Sequence, residues 1–278
     1  MITQIIDGRA LAAEIKTEIA EEVFQLLKEE RAQPSLAIIL VGNRPDSELY
    51  VKLKEREARR VGILTHTYHL PADISTAELK AVVEFLNEDS TVNSVLIQLP
   101  LPDHLPTAEI MDALDPEKDA DGFLNNHPAE VISPVAAAVS LMLERQDLNL
   151  AETKLGILHN SEIFGETLKK VLQKRGFKKF TLAGKEGLEK VSDCDVVISA
   201  LGRPHFIPAK KLKSGAVVID VGTTKKDGQT VGDLDSKGAD KYLGAYSPVP
   251  GGIGPLTIAF LFKNVLALYH RQQKNLKS

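Results

Sequence analysis

Short apolar runs alternate along the chain with longer segments in which apolar residues recur at helical spacing. Six runs read as strands buried on both faces, because their apolar residues are continuous: 36–41, 95–99, 154–158, 179–182, 195–200 and 216–221. Predicted helices span 46–61, 75–87, 134–145, 162–175 and about 255–272. This alternation predicts an α/β fold with parallel sheets.

The alternating elements fall into two sets, which predicts two lobes. The first lobe comprises residues 1–135, and we expect the C-terminal helix, 258–278, to return and pack on it. The second lobe comprises residues 136–257, with the helix at 134–145 joining the two.

Composition narrows the class of protein. The chain has 278 residues and a formal net charge of -4, so it offers no global positive field for nucleic acid. Its single cysteine, Cys194, excludes an internal disulfide and fits a reducing compartment. The N-terminus lacks a signal-peptide pattern, no run reaches the length of a membrane span, and no zinc-ligand spacing occurs. We therefore expect a cytoplasmic protein without metal.

Three polar residues in the first lobe are of the types found in an acid/base site. Tyr50 and Lys54 are four residues apart and share one face of the predicted helix. A buried lysine can exchange protons near neutral pH, although a lysine in so charged a helix also fits a solvated surface. Gln98 ends a buried strand, where α/β folds bind ligands, and a turn-forming glutamine is the alternative.

Two loops can present polar groups to a ligand. Residues 115–123 read DPEKDADGF, an acidic loop in which Asp121 can offer a carboxylate to a polar heterocycle. The same sequence also fits a simple Asp-Gly turn, and it lacks the spacing of a calcium loop. Residues 247–257 read SPVPGGIGPLT, a turn whose glycines permit close approach of a ligand to the main chain. A purely structural turn is the alternative.

In this order the motifs resemble those of the bifunctional methylenetetrahydrofolate dehydrogenase/cyclohydrolase family. The matching runs are YVKLK, IQLPLP, KDADGF and PVPGGIGPLT, with further likeness in IIDGRALA, VGNRPDSELY, DVVISALGRP and VVIDVG. The resemblance implies an N-terminal α/β catalytic domain and a C-terminal Rossmann-like nucleotide-binding domain with a cleft between them. It also implies a homodimer formed through the nucleotide-binding lobe.

The family oxidises 5,10-methylenetetrahydrofolate with NADP or NAD and hydrolyses the methenyl product to 10-formyltetrahydrofolate. By resemblance, Lys54 is the acid/base of hydrolysis, Gln98 tunes its protonation, and Tyr50 packs on the folate. Asp121 accepts hydrogen bonds from the pterin. The residues Pro250, Gly251 and Gly252 line the folate site. The implied nucleotide-binding residues are His159, Asn160, Ser161, Gly165, Gly202, Gly222 and Thr223.

The second lobe departs from the family pattern at the turn that meets the nucleotide phosphates. A Gly-Arg-Ser-x-x-x-Gly-x-Pro run is usual there, and this chain has His159, Asn160 and Thr167 at the first glycine, the arginine and the proline. If the first position needs positive φ, histidine costs about 1 kcal/mol or more, and its ring can occupy phosphate space. Losing the arginine removes a partner for the 2′-phosphate of NADP.

Two further family motifs are altered. The His-Ser-x-Thr run is replaced by residues 183–186, where Lys185 can contact a phosphate or Glu186 a ribose hydroxyl, unless both are solvated. The Pro-Cys-Thr-Pro-x-Gly run is replaced by residues 131–136, and the stretch 124–130 is shortened. Three hypotheses stay open: a bifunctional enzyme with altered cofactor binding, a cyclohydrolase with weakened or lost oxidation, and a non-catalytic folate-binding paralogue.

Overall fold

The computed structural model describes residues 2–124, 127–128 and 131–275. Its helices are α1 (Gly8–Lys28), α2 (Pro45–Val61), α3 (Thr76–Glu88), α4 (Thr107–Asp112), α5 (Pro134–Glu144), α6 (Glu162–Lys174), α7 (Leu188–Val191) and α8 (Ile253–Asn275), with a 3-10 turn at Ala209–Lys211. Its strands are β1 (Gln4–Ile5), β2 (Ser35–Val41), β3 (Leu64–Leu70), β4 (Ser94–Ile97), β5 (Lys154–His159), β6 (Lys179–Ala183), β7 (Val196–Ala200), β8 (Ile207–Pro208), β9 (Val217–Asp220), β10 (Thr224–Lys226), β11 (Gln229–Val231), β12 (Leu234–Asp235) and β13 (Ala245–Tyr246).

The chain forms two compact units. The first unit comprises Ala13–Pro134 and Ile258–Ser278, and the second comprises Met1–Ala12 and Val135–Thr257. The first twelve residues, placed by the sequence in the first lobe, cluster with the second unit because β1 pairs in parallel with β13. Residues 258–275 cluster with the first unit, the side on which the sequence placed them.

The first unit is built on a three-stranded parallel sheet in the order β3-β2-β4. Every residue of the central strand β2 is buried, which explains its continuous apolar sequence. Strands were predicted at 36–41 and 95–99, and both predictions are confirmed, the second strand ending two residues earlier. Sequence analysis missed β3, whose sequence LTHTYHL is largely polar because the strand lies at the sheet edge.

Two long helices complete the description of the first unit. α1 escaped the sequence analysis, although its buried residues Ala12, Ile15, Ile19, Val23 and Leu26 follow helical spacing. α8 is long and apolar enough to cross a membrane by length and composition, a feature that sequence analysis also missed. In the structure 61% of its most apolar stretch is buried, as in the core helix of a globular domain. Phe262 and Tyr269 on this helix are fully buried.

The second unit has a six-stranded parallel sheet in the order β1-β13-β9-β7-β5-β6. The four strands predicted in this lobe are confirmed as β5, β6, β7 and β9. After β1 at the edge, the chain re-enters this sheet at β5 and moves outward to β6, then crosses back to β7 and β9. The carboxyl ends of β5, β7 and β9 are therefore neighbours, and open α/β sheets bind ligands at such a reversal of strand order.

Helix α2, which carries Tyr50 and Lys54, ends at Gly62. This glycine has φ 79° and its N–H faces the carbonyls of Ala58 and Arg59. A Cβ at this position would lie 2.9 Å from Cγ1 of Val23 on α1. Glycine is therefore required both by the left-handed backbone and by the close approach of α1.

We expect Gly62→Ala to lower the free energy of unfolding by about 1–2 kcal/mol through the backbone alone, and by roughly 1 kcal/mol more through the contact with Val23. Denaturant unfolding of the variant, made in the natural chain and in a Val23→Ala background, separates the two effects. The smaller Val23→Ala side chain should reduce the cost of Gly62→Ala. An equal cost in both backgrounds would show that the contact with α1 plays no part.

Candidate active site

Lys54 on α2 and Gln98 after β4 are joined by a hydrogen bond. The Nζ of Lys54 donates to Oε1 of Gln98 at 2.8 Å, and Nε2 of Gln98 donates to the carbonyl of Leu99 at 2.7 Å. Because the amide nitrogen is committed to Leu99, the amide oxygen faces the lysine. The backbone N–H of Gln98 donates to the carbonyl of Ile39 in β2 at 2.9 Å, so the sheet fixes this residue. The structure thus brings together two residues that the sequence singled out separately.

Burial moves the protonation equilibria of Lys54 and Asp121 towards each other. It lowers the pKa of Lys54, and the charge of Asp121 opposes that change. Burial raises the pKa of Asp121 to about 6, against the attraction of Lys54 and with the repulsion of Asp119. A lysine and a carboxylate that both exchange protons nearer to neutral pH than usual are typical of an acid/base site.

Asp119 organises the loop that carries Asp121. Its carboxylate accepts the backbone N–H groups of Asp121, Gly122 and Leu124 at 3.0–3.1 Å, and its side chain is buried. Gly122 takes φ 62° in this turn. Sequence analysis missed this role. The sequence did contain a signal, because in a run such as DADG the first Asp often accepts hydrogen bonds from the N–H groups of its own turn.

A buried amide from α8 fixes the same loop on its other side. Nδ2 of Asn264 donates to the carbonyls of Ala120 at 2.8 Å and Ile132 at 2.9 Å. Its Oδ1 accepts the N–H of Ile132 at 3.4 Å. Asn264 therefore ties α8 to both segments, although they lie more than 130 residues away in sequence. No local pattern in the sequence predicts such a contact.

Tyr50 lies one turn before Lys54 on α2, and 45% of its surface is exposed. An aromatic ring at this exposure, one helical turn from the half-buried Lys54, is available to a flat ligand.

The glycine-rich segment before α8 is tightly packed in the second unit. Gly251 has φ 113° and lies against the side chain of Arg9. A Cβ on Gly8 would lie 1.9 Å from the carbonyl oxygen of Gly252, so the two backbones touch. Gly251 and Gly252 are buried and Pro250 is exposed. The segment is a turn with an accessible rim, as the sequence predicted.

A polar cavity of about 840 Å³ lies in the second unit at the carboxyl ends of β5 and β6. It is lined by His159, Asn160, Glu162, Glu166, Leu182, Gly184, Lys185, Glu186, Gly187 and Lys190. The N-terminus of α6 contributes to this wall, and Oγ of Ser161 caps that helix by accepting the N–H of Phe164 at 3.4 Å. A helix N-terminus with nearby lysines suits a phosphate, whereas the three glutamates oppose one.

The backbone of His159 is not strained, although this histidine stands where the family pattern has glycine. It is the last residue of β5, has no positive φ, and pairs with Ala200 of β7. Its ring lies against Gly165, where a Cβ would come within 2.6 Å of Cδ2. The histidine therefore fills the space between the strand and α6, and Gly165 must stay without a side chain. Nδ2 of the adjacent Asn160 donates to the carbonyl of Leu201 at 3.2 Å.

The other predicted nucleotide-binding residues follow neighbouring strands. Gly202 comes after β7 with φ 67°, and Gly222 comes after β9 against the carboxylate of Asp233. Thr223 is exposed. All three lie beyond carboxyl ends of central strands, as does Asn160, whereas His159 is the last residue of its strand.

Comparison with known proteins places this geometry in a family. Residues 6–121 match the model of the tetrahydrofolate dehydrogenase/cyclohydrolase catalytic domain, and residues 133–273 match its NAD(P)-binding domain. The chain belongs to the tetrahydrofolate dehydrogenase/cyclohydrolase family. Its predicted membership, its two-domain α/β class and its assignment to one-carbon folate metabolism, with both dehydrogenase and cyclohydrolase activities, are thereby confirmed.

Individual relatives match along nearly their whole length. The bifunctional protein FolD of Sulfurihydrogenibium is 36% identical over 96% of this chain and 98% of its own. The Trypanosoma brucei enzyme, solved with NADP cofactor and an inhibitor, superposes with a TM-score of 0.91 at 31% identity, covering 99% of both chains. The Campylobacter jejuni FolD superposes with a TM-score of 0.90 at 32% identity, covering 97% of this chain and 99% of that one.

The raised pKa of Asp121 can be measured directly. We expect the carboxyl carbon of Asp121, assigned with Asp121→Asn in 13C-aspartate-labelled protein, to titrate near pH 6. Lys54→Met should raise this pKa further, because the lysine charge now lowers it. Titration near the ordinary value of 3.8, or no response to Lys54→Met, would contradict the assigned electrostatics.

The same shift affects stability. Because the folded pKa lies above the unfolded one, ionising the buried carboxylate costs stability. That cost is absent below pH 3.8 and complete above about pH 6.

Proposed function

We propose that this protein oxidises 5,10-methylenetetrahydrofolate to the methenyl form with NADP and hydrolyses the methenyl form to 10-formyltetrahydrofolate. The observation that carries the proposal is the hydrogen bond between half-buried Lys54 and Gln98, with Asp121 acting on the lysine electrostatically. The first unit is then the folate-binding catalytic domain, and the second is the nucleotide-binding domain.

For hydrolysis, Lys54 is the acid/base. Water adds to the carbon that bridges N5 and N10, and Lys54 accepts one of its protons, which leaves a hydroxyl adduct. The bond from that carbon to N5 then breaks as the adduct hydroxyl loses its proton to form the formyl C=O and N5 gains a proton. Lys54 releases the proton it accepted to solvent. Burial supports this role because it increases the neutral fraction of the lysine. Gln98 supports it by holding Nζ through an oxygen that cannot rotate away without losing the bond to Leu99.

Folate binding draws on the residues around the lysine. Asp121, once ionised, accepts hydrogen bonds from the amino edge of the pterin, and its loop is held by Asp119 and Asn264. Tyr50 offers its exposed ring to the flat substrate and orients the lysine. Pro250, Gly251 and Gly252 line the folate site through their backbone, a role carried over from the family motif.

For oxidation, the residues of the second unit suit a dinucleotide. The cavity at β5 and β6 has the volume of a ligand pocket and offers Lys185, Lys190 and the N-terminus of α6 to phosphate groups. Asn160, Ser161, Gly165, Gly202, Gly222 and Thr223 complete the proposed binding set. When bound, NADP or NAD supplies the hydride acceptor, and the protein contributes positioning of the folate carbon against it.

A cyclohydrolase with weakened oxidation is the second candidate. It is favoured by the ring of His159 packed on Gly165 and by Glu162, Glu166 and Glu186 around the same cavity. These groups reduce the positive potential available to phosphates, and most of all to the 2′-phosphate that distinguishes NADP from NAD.

We further propose a cytoplasmic homodimer that acts on tetrahydrofolate derivatives without nucleic acid or membrane. The buried thiol of Cys194 supports a reducing compartment. Dimerisation through the second unit is carried over from the family resemblance.

Lys54→Met should reduce hydrolysis of 5,10-methenyltetrahydrofolate by about 10²–10⁴-fold, while oxidation of the methylene form with NADP or NAD persists. Lys52→Met is the matched control, because Lys52 lies on the same helix but is 72% exposed and pairs with Glu48 at 3.6 Å. Steady-state kinetics of both reactions test the proposal. Equal hydrolysis by the two variants would remove Lys54 from the mechanism. Folate binding without either activity in the natural chain would favour a non-catalytic paralogue.

Lys185→Ala should raise the KM for NADP roughly tenfold, because it removes a cation from the phosphate end of the cavity, and should change the KM for NAD less. Lys178→Ala, a change of another exposed lysine on the same unit, is the control. An equal effect on both nucleotides would place Lys185 away from the 2′-phosphate. Hydrolysis without any oxidation in the natural chain would establish the second candidate.

A further inference from the structure

Two carboxylates are buried in the second unit that the proposed mechanism does not use. Asp220 is the last residue of β9 and is 2% exposed. Asp233 precedes β12 and is 1% exposed. Burying a carboxylate is costly unless its oxygens are paired, so the groups that pair with these two identify what they hold.

Asp233 holds the loop that follows β7. Its Oδ2 accepts the hydroxyl of Ser199 at 2.6 Å and the N–H of Leu201 at 2.7 Å, and its Oδ1 accepts the N–H of Arg203 at 2.7 Å. Gly202, which has a positive φ, lies between the two backbone donors. One carboxylate therefore fixes both ends of the turn in which Gly202 lies.

Asp220 holds the loop that follows β9 in the same way. Its Oδ1 accepts the N–H of Gly222 at 2.9 Å, and its Oδ2 accepts the N–H of Leu234 at 2.8 Å. The backbone N–H of Asp220 donates to Oγ of Ser247 at 2.8 Å, next to the glycine-rich segment. The two loops and the residues before β12 thus share one buried hydrogen-bonded network.

Glycines bring the two carboxylates against the backbone. A Cβ on Gly222 would lie 2.2 Å from the carboxyl carbon of Asp233, and one on Gly232 would lie 2.1 Å from Oδ2 of Asp220. Burial raises the pKa of Asp220 to about 7, and the charge of Asp233 adds to the shift. Burying these two neighbouring carboxylates costs electrostatic free energy, and their hydrogen bonds to the two loops offset that cost.

We propose that Asp220 and Asp233 are positioning residues that hold the loops after β7 and β9 in the conformation that binds the dinucleotide. This inference rests on the proposed function, since it takes Gly202, Gly222 and Thr223 as nucleotide-binding. The loops lie beyond the carboxyl ends of adjacent central strands, where ligands of open α/β sheets bind. Neither carboxylate needs to touch the nucleotide.

The test is Asp233→Asn in the full chain. The amide cannot accept all three donors, so one buried N–H loses its partner and the loop loosens. We expect the KM for NADP and NAD and the dissociation constant of each nucleotide to rise tenfold or more. The kcat of oxidation at saturating nucleotide should change less than threefold, and hydrolysis of 5,10-methenyltetrahydrofolate should be unchanged. Asp193→Asn is the matched control, because Asp193 is 71% exposed and pairs with Lys154.

Ser199→Ala guards against a variant that fails to fold. It removes one donor from Asp233 but leaves the carboxylate and both backbone donors in place, so we expect a two- to fivefold rise in nucleotide KM with kcat unchanged. Unchanged nucleotide affinity in both variants, or a parallel loss of oxidation and hydrolysis, would overturn the positioning role. A natural chain that hydrolyses but binds neither nucleotide would overturn the oxidation proposal, and the inference with it.

Discussion

The proposed chemistry depends on a lysine ammonium that is partly withdrawn from water and held by one fixed partner. Desolvation lowers the pKa of Lys54 and so increases its neutral fraction, while the hydrogen bond to Gln98 holds its Nζ. Each requirement is met by a different part of the first unit. α2 delivers the lysine, while the ladder between β2 and β4 fixes the glutamine. The sheet of the first unit therefore fixes the position of Gln98, and through it the position of the Lys54 Nζ.

Carboxylates organise loops in both units. Asp119 gathers three N–H groups from the turn carrying Asp121, and Asp233 gathers two N–H groups and a hydroxyl around Gly202. A loop held by its own backbone donors keeps its shape without a packed core beneath it. Asp121 and Gly202, which are proposed to contact ligands, are thus held in place by other residues, Asp119 and Asp233.

The sequence was sufficient wherever the information was local. Continuous apolar runs predicted β2 and β5 because these strands are covered on both faces. The family resemblance, rather than local pattern, grouped Lys54, Gln98 and Asp121, and the structure places Lys54 in a hydrogen bond with Gln98 and in an electrostatic interaction with Asp121. Sequence analysis failed where a contact joins distant parts of the chain, or where polar residues interrupt the apolar pattern of an element. β3 was missed because an edge strand has polar residues, and Asn264 because its partners lie far away in the chain. The packing of His159 on Gly165 depends on the approach of α6, which no single-position comparison reveals.

Each unit is built from two separate segments of the chain, which limits how the protein can be divided into fragments. The first unit includes residues 258–275, with buried Phe262 and Tyr269, while the second includes the first residues, whose strand β1 is paired with β13. A single cut in the chain therefore releases neither domain whole: a fragment ending near 134 lacks a core helix, and a fragment starting near 135 lacks an edge strand. Neither truncation nor circular permutation separates the two units, because their segments alternate along the chain. Isolating one unit requires joining its two segments directly, 13–134 to 258–278 or 1–12 to 135–257.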